Sequence, residues 1–394
     1  MKRRDAIEAT ALTLGCALVF NNRASAQTVP SQIETGAFSV NPVLLAPEPH
    51  SITVVWMTGA LSTGWVEFGT DPRLDQKAFS THDGLIDANQ TLHSVTLKNL
   101  KPSTKYYYRV VTREIQEFKP YDIILGQALA SKPQNFTTLS VDKKRVSFAV
   151  LNDLHNHWPS IERNLGFIKD HPCDFIVFNG DIVCDSQNDA NVVNFLRAVG
   201  RFADHTPIVY VRGNHDVRGS FSRELKDYLS PKGNYYHGFT HGPARFIVMD
   251  TGEDKPDSSK VLSGLTDFEN YRTEQKCWLA EELKKKEVGD SFFKIFISHI
   301  PLYANIGNTC KDGRKKWGPL LNDAGIDLYM AGHTHRPDYV QTGSAGNPAP
   351  VSIGGGYKED NSTITLVEVD EDRINLQILL AGKEIVNQQI RRRL

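Results

Sequence analysis

From about Phe38 to Thr138 apolar and polar residues alternate along the chain. Ile52, Val54 and Trp56 keep a period of two, and so do Tyr106, Tyr108 and Val110. Side chains at that period stand on one face of a half-buried strand. Polar turns separate the runs, so the segment reads as all-β and has the length of one sandwich of about 100 residues. The polar and basic stretch Ser140–Lys144 reads as a linker.

After Arg145 the texture changes. Apolar runs at Val146–Leu151, Phe175–Phe178, Ile208–Val211, Phe246–Met249, Phe292–Ile297 and Ile326–Met330 read as buried strands. Between them Ser160–Lys169, Ala190–Phe202, Thr273–Lys286 and Lys315–Leu321 read as helices. Strands alternating with helices predict an α/β core. Ile364–Val369 and Ile374–Leu380 read as consecutive antiparallel strands.

Five of these runs end in residues that ligate metals. Val146–Leu151 leads to Asp153 and His155, Phe175–Phe178 to Gly180-Asp181, and Ile208–Val211 to Gly213-Asn214-His215-Asp216. Phe292–Ile297 leads to His299, and Ile326–Met330 to Gly332-His333-Thr334-His335. In α/β sheets, ligands gather outside the carboxyl ends of strands, so five such tips can meet in one crevice. Each motif alone is weak, because a lone His after a strand is more often structural. The ordered set, supplying carboxylate, amide and imidazole donors, is specific. Those donors suit Mn, Fe, Zn or Co, and no thiolate pair asks for a softer ion.

The ordered set resembles the calcineurin-like metallophosphoesterase superfamily. The β-rich segment in front, and the run from Tyr235-Tyr236 through Arg245–Thr251, are similar to purple acid phosphatases and related bacterial enzymes. Leu100–Tyr106 resembles a corner of fibronectin type III domains, where a tyrosine hydroxyl ties back to nearby backbone. The resemblance implies an α/β fold, a four-layer metallophosphoesterase β-sandwich flanked by helices over residues 145–394. A small all-β fibronectin type III-like sandwich over residues 33–140 would precede it. It also implies phosphomonoester hydrolysis by metal-bound hydroxide, with two divalent metal ions per chain. Asp153, His155 and His335 would hold the first ion, Asn214, His299 and His333 the second, and Asp181 would bridge both. Two divalent ions against two aspartates and one hydroxide leave about one net positive charge, which suits a phosphate ester. His215 would donate a proton to the leaving alcohol or orient the phosphate, with Asp216 aligning its ring.

Two positions depart from the purple enzymes. Cys184 stands where they carry a ligand tyrosine, and His155 replaces a small residue. Both argue against a tyrosinate-bound ferric ion and leave metal identity open. A phosphodiesterase acting on nucleotides or lipid head groups would use the same ligands. A binding or adhesion protein built on the front sandwich predicts a degraded ligand set, and none of the seven positions is lost. Gly354-Gly355-Gly356 reads as a turn, since no helix follows to cradle a phosphate. His157, His237 and Arg336 lie near the motifs as rim residues.

Charge narrows the partners. Lys+Arg of 45 against Asp+Glu of 46 gives a net charge of -1, which offers no attraction to nucleic acid; the expected partner is a small phosphate ester. At the start, Lys2, Arg3 and Arg4 precede the uncharged Ala9–Phe20, and Ala24-Ser25-Ala26 offers a cleavage site. Residues 1–26 therefore read as an export signal, too short in its apolar part to span a bilayer. The Arg3-Arg4 pair leaves twin-arginine and general secretory routes open, either leading to the bacterial periplasm or the exterior. Removing that segment leaves Cys173, Cys184, Cys277 and Cys310, whose spacing selects no pairing and no thiolate metal site; they read as ordinary buried thiols, with room for one bridge in an oxidising compartment. Oligomeric state is open.

Overall fold

The computed structural model describes residues 38–203, 205–230 and 233–392. The predicted export signal lies outside the described residues. Nine strands come first: β1 Phe38–Leu45, β2 Ile52–Gly69, β3 Gln76–Ala78, β4 Thr81–His82, β5 Leu85–Ile86, β6 Gln90–Leu97, β7 Lys105–Lys119, β8 Asp122–Ala130 and β9 Gln134–Thr137. β2 is long enough to serve two layers. Its first half pairs with β1 and β6, and after a register break its second half pairs with β7 and β3. Trp56, Val66, Tyr108 and Phe136 fill the space between the layers. The Lys101 backbone N–H donates to the Tyr106 hydroxyl at 3.0 Å, so the chain turns back on that tyrosine at the corner.

The remainder runs β10 Val146–Leu151, α1 Trp158–Asp170, β11 Phe175–Asn179, α2 Ala190–Phe202, β12 Ile208–Val211, α3 Leu225–Leu229, β13 His237–His241, β14 Ala244–Val248, α4 Phe268–Glu282, α5 Lys286–Asp290 and β15 Phe293–Ile297. It continues with α6 Lys311–Ala324, β16 Leu328–Ala331, β17 Asp338–Val340, β18 Val351–Ile353, β19 Thr363–Val369, β20 Arg373–Leu380 and β21 Lys383–Arg391. One sheet has the order β21-β20-β19-β10-β11-β12, the other β13-β14-β15-β16-β18-β17. Phe148, Phe175, Phe246, Ile295 and Leu376 pack between them. α1 and α2 cover the outer face of the first sheet, and α4 and α6 that of the second. The result is four layers, helix, sheet, sheet, helix. In β10, Phe148 and Val150 enter the inter-sheet core while Ala149 and Leu151 meet the helices. Burial on both faces explains why these strands read as continuous apolar runs.

The first sheet does not end at β12. β1 lies parallel beside it, with Leu45 opposite Ile208, and Ala46 N–H donates to the Ile208 carbonyl at 3.1 Å. Val40 and Val43 of β1 share a core with Phe195 and Val199 of α2. The strand that opens the front sandwich is thereby part of the helix-flanked half.

Some boundaries differ from the sequence expectation. α4 starts at Phe268 and not Thr273, because the Asp257 carboxylate accepts the backbone N–H of Phe268 and Glu269 at 3.0 and 2.8 Å. Those donors are the ones a helix start leaves unpaired, and here the cap comes from a distant loop. Helix stops at Glu282 and resumes as α5 after an extended Lys285. α6 spans Lys311–Ala324 despite Gly313 and Pro319, and ends on left-handed Gly325. β21 takes in Arg391, which reads locally as a solvated tail. All four described cysteines are free; Cys173 is half-buried and Cys310 buried, whereas Cys184 and Cys277 are exposed, contrary to the buried reading. Among the described residues no helix is long and apolar enough to cross a membrane.

In the front sandwich His93 is 2% exposed, stacked on Trp56, with Nε2 2.8 Å from the Ser62 hydroxyl. Burial pushes its pKa down to about 4, against a modest opposing pull from Asp87. The folded state thus favours neutral His93. Its contribution is complete above about pH 6.5 and is lost as pH falls through 4. Lowering the pH from 7.5 to 4.5 should cost about 2 kcal/mol through this residue. His93→Gln should remove that part of the slope in denaturant titrations at the two pH values; an unchanged slope would refute the assignment.

Candidate metal centre

The turns after β10 and β11 are stitched together by backbone. Asp153 N–H donates to the Gly180 carbonyl and His155 N–H to the Asp181 carbonyl, both at 3.0 Å. The stitching holds Asp153, His155, Asn156 and Asp181 at positive φ, between 44° and 56°, and His333 and His335 join them at 70° and 56°. Non-glycine residues seldom adopt this region, and clusters of them mark functional sites. Gly180 and Gly213 make room: a Cβ at Gly180 would lie 2.4 Å from His299 Nδ1, and one at Gly213 2.2 Å from Asp181 N.

The five strand tips converge. Donor atoms of Asp153, His155, Asp181 and His335 lie within 4.8 Å of one another, and so do those of Asp181, His299 and His333. Asp181 belongs to both groups. Asn214 meets the second through its Oδ1, 2.8 Å from His333 Nδ1. Asp153, Asp181, Asn214 and His299 are all at most 2% exposed.

Two of the donor atoms lack hydrogen-bond partners at the point where an ion would sit. His299 gives its Nδ1–H to the Asn179 carbonyl at 2.8 Å, which turns Nε2 inward, 3.2 Å from Asp181 Oδ2 and 3.8 Å from Asp153 Oδ1. That Nε2 and Asp153 Oδ1 are buried without a hydrogen-bond partner. Unpaired buried polar atoms are costly, and a cation between them would satisfy both. Charge tells the same story. Burial opposes a charge on His299, yet Asp181 and Asp153 push its pKa up to about 10. Burial raises Asp153, while Asp181, also opposed by burial, is held far below the usual carboxylate range by His299 and its neighbouring histidines. Burial pushes His155 down to about 3 and His333 to about 4. Against the two carboxylates the protein sets His299 and also His335, whose pKa its hydrogen bond with Asp153 raises. The residues fit a cationic group.

His215 sits at the rim, its ring edge-on to His155 with centroids 4.6 Å apart. The expected Asp216–His215 contact is not formed. Asp216 is fully buried and accepts hydrogen bonds from Asp181 N, Gly213 N, Val183 N and the Tyr210 hydroxyl. It is a tie between the loops after β11 and β12. Burial, with Asp181 close by, raises its pKa to about 6. The His215 ring is held instead by the Cys184 carbonyl at Nδ1, 2.7 Å, and by Arg218 Nη1 at Nε2, 3.0 Å.

Residues 146–337 match the family described as calcineurin-like phosphoesterase, and residues 39–138 match the N-terminal domain of purple acid phosphatases. The chain carries a calcineurin-like phosphoesterase domain preceded by a purple acid phosphatase N-terminal domain. It is 24% identical over 345 residues to purple acid phosphatase 21 of Arabidopsis thaliana, covering 80% of this chain and 71% of that one. It is 23% identical over 316 residues to human acid phosphatase type 7, covering 73% and 67%. Among solved structures, the yellow lupin purple acid phosphatase PPD1 superimposes with a TM-score of 0.64 at 15% identity, over 89% of this chain and 74% of that one. PhoD superimposes at 0.61 and 13%, over 91% and 90%. The chain is a phosphatase-type hydrolase of a dimetal family.

Sequence reasoning did not single out Arg218, Glu253 or Tyr357. The Tyr357 ring lies against His155 and His335, centroids 5.0 and 5.6 Å away. It follows the Gly354–Gly356 turn, whose glycines allow close approach: a Cβ at Gly356 would come within 3.0 Å of His335. His157 bonds Ser160 beside Tyr357, but His237 stacks on Phe239 at the edge of the second sheet. Arg336 is exposed, and its backbone N–H and carbonyl bond the Thr334 hydroxyl. Gly180→Ala in this phosphoesterase should cost at least about 1–2 kcal/mol from its φ of 82° and displace the His299 ring. Thermal unfolding and metal content should both fall; normal metal content would show that the ring has room to move.

Proposed function

We propose that the protein hydrolyses phosphomonoesters with two divalent metal ions. The reading is carried by the two donor groups that share Asp181, with a buried, unpartnered His299 Nε2 and Asp153 Oδ1 at their meeting point. Asp153, His155 and His335 would hold one ion, Asn214, His299 and His333 the other, and Asp181 both. When bound, such a pair supplies Lewis-acid activation of water and of the phosphoryl oxygens. The chain's own residues prepare the place. The Asn179 carbonyl keeps the His299 lone pair inward, and the Asp216 carboxylate keeps the Asp181 and Asn214 loops in register. His215 stands at the rim, where its ring can face the leaving oxygen. Its Nε2 accepts a hydrogen bond from Arg218 in this state, because a guanidinium cannot accept one. The relatives named as acid phosphatases support a monoester over a diester.

The purified protein should bind two metal ions per chain and lose hydrolysis on chelation. His333→Asn should lower metal content and depress alkyl and activated aryl phosphates together. His215→Asn should keep both ions and slow alkyl phosphates by about 10²–10⁴-fold, since a basic alkoxide needs protonation most. Equal losses on both substrate types would replace proton donation with phosphate positioning, and a preference for diesters would reassign the substrate.

We also propose export, on the basic start and uncharged run that precede Ala24-Ser25-Ala26. N-terminal sequencing of protein recovered from outside the cytoplasm should begin near Gln27; recovery only of uncleaved cytoplasmic chain would contradict it.

A further inference from the structure

The turn after β12 places a guanidinium against the metal centre. Arg218 N–H donates to the His215 carbonyl at 3.1 Å, and the Arg218 carbonyl accepts the Ser186 N–H at 2.6 Å, joining the loops after β11 and β12. The side chain then crosses to a third loop, beyond β14. Its Nε donates to Glu253 Oε2 at 2.8 Å and its Nη2 to Glu253 Oε1 at 2.6 Å, and Nη2 also reaches Asp254 Oδ1 at 2.8 Å. Glu253 is 2% exposed and accepts Asp254 N–H as well, so it is a fixed anchor. A two-point fork of this kind sets the plane of the guanidinium.

The opposite edge of that plane points into the site. Nη1 lies 3.0 Å from His215 Nε2, and the His215 ring is edge-on to His155. An arginine carries five N–H donors. Glu253, Asp254 and His215 take four, and the second Nη1–H has no acceptor among the described residues. The side chain is 29% exposed, so a solute can reach it. A strut between loops would need only the Glu253 edge. A cation anchored on one edge, with a spare donor on the other beside the candidate ligands, is arranged to receive an oxyanion.

We infer that Arg218 binds the phosphate of the substrate through Nη1, with Glu253 as its positioning residue. The inference rests on the phosphoesterase reading above and names its substrate class more closely: an ester whose phosphate is a dianion. Binding needs no movement of the fork, since one Nη1–H is already spare. Moving the other from His215 to a phosphate oxygen frees the imidazole Nε2 to take up a proton from solvent, which it can then pass to the leaving group.

The test uses the full chain loaded with metal, as wild type, Arg218→Ala, Arg218→Lys and Glu253→Gln. Substrates are p-nitrophenyl phosphate and bis(p-nitrophenyl) phosphate, and inorganic phosphate is titrated calorimetrically. Arg218→Ala should raise KM for the monoester about 10- to 100-fold and weaken inorganic phosphate by a similar factor, as expected for one lost charge-assisted hydrogen bond. The diester, with a single negative charge, should change less. Metal content should stay at the wild-type level, and added guanidinium should restore part of the loss in Arg218→Ala alone. Arg218→Lys and Glu253→Gln should fall between, the first keeping charge without the fork and the second keeping the guanidinium but leaving it one acceptor in place of two. Unchanged monoester KM and phosphate affinity in Arg218→Ala would overturn the inference. If that variant does not fold, wild-type values in Arg218→Lys would do the same. Loss of metal and of both substrates together, without guanidinium rescue, would reduce Arg218 to a loop strut. A metal-loaded wild type that cleaves neither ester would sink the phosphoesterase reading, whereas the phosphate titrations would still decide the role of Arg218.

Discussion

Two carboxylates, Asp153 and Asp181, are buried in one space with donor atoms turned inward, and that space is unfavourable until a cation occupies it. Much of the surrounding architecture follows from this constraint. The carboxylates reach the space because the backbone at both is left-handed, and it stays so because the two turns hydrogen-bond each other. Strained turns persist only where the surroundings over-determine them. Here β10 and β11 lie side by side and, Ser147 apart, buried, so their ends have little freedom. The local cost of the turns is set against the stability of a four-layer core.

The strands that lead to the candidate site were the most legible part of the chain. Val146–Leu151 and Ile208–Val211 begin and end where the apolar runs do, because a strand buried on both faces is apolar almost throughout, and only Ser147 interrupts these two. The seven ligand-type residues were legible for a related reason: each lies no more than five positions past the end of such a run. What was not legible depends on partners far away in sequence. Asp216 follows His215 directly and invites a pairing between neighbours, but its carboxylate is consumed by backbone donors from two loops. Arg218 and Glu253 become neighbours only when the loops after β12 and β14 meet. The start of α4 depends on Asp257, and α6 runs through Pro319 because Trp317, fully buried with its indole N–H on the Arg272 carbonyl, anchors it from the inside.

The rim divides its work among groups that do not touch the candidate ions' donors alike. His215 is held on a carbonyl and a guanidinium, Tyr357 gives an aromatic wall against His155 and His335, and Cys184 presents its thiol to the loop after β10, donating to the His155 carbonyl at 2.8 Å. Among the described residues Cys184 belongs to neither donor group, whereas His155 belongs to the first.

The parallel pairing of β1 with β12 has a consequence for how the chain is made. The first described strand cannot find its neighbour, nor Val40 and Val43 their helix, until residues beyond Ile208 have left the ribosome. Contacts between such distant stretches form late, because a long loop must close before they are rewarded. Meanwhile the nascent β1 and β2 offer an unpaired edge, the kind of surface that recruits other chains. The front sandwich therefore matures with the catalytic half and not ahead of it, and a chain cut short before β12 would carry a ready template for aggregation.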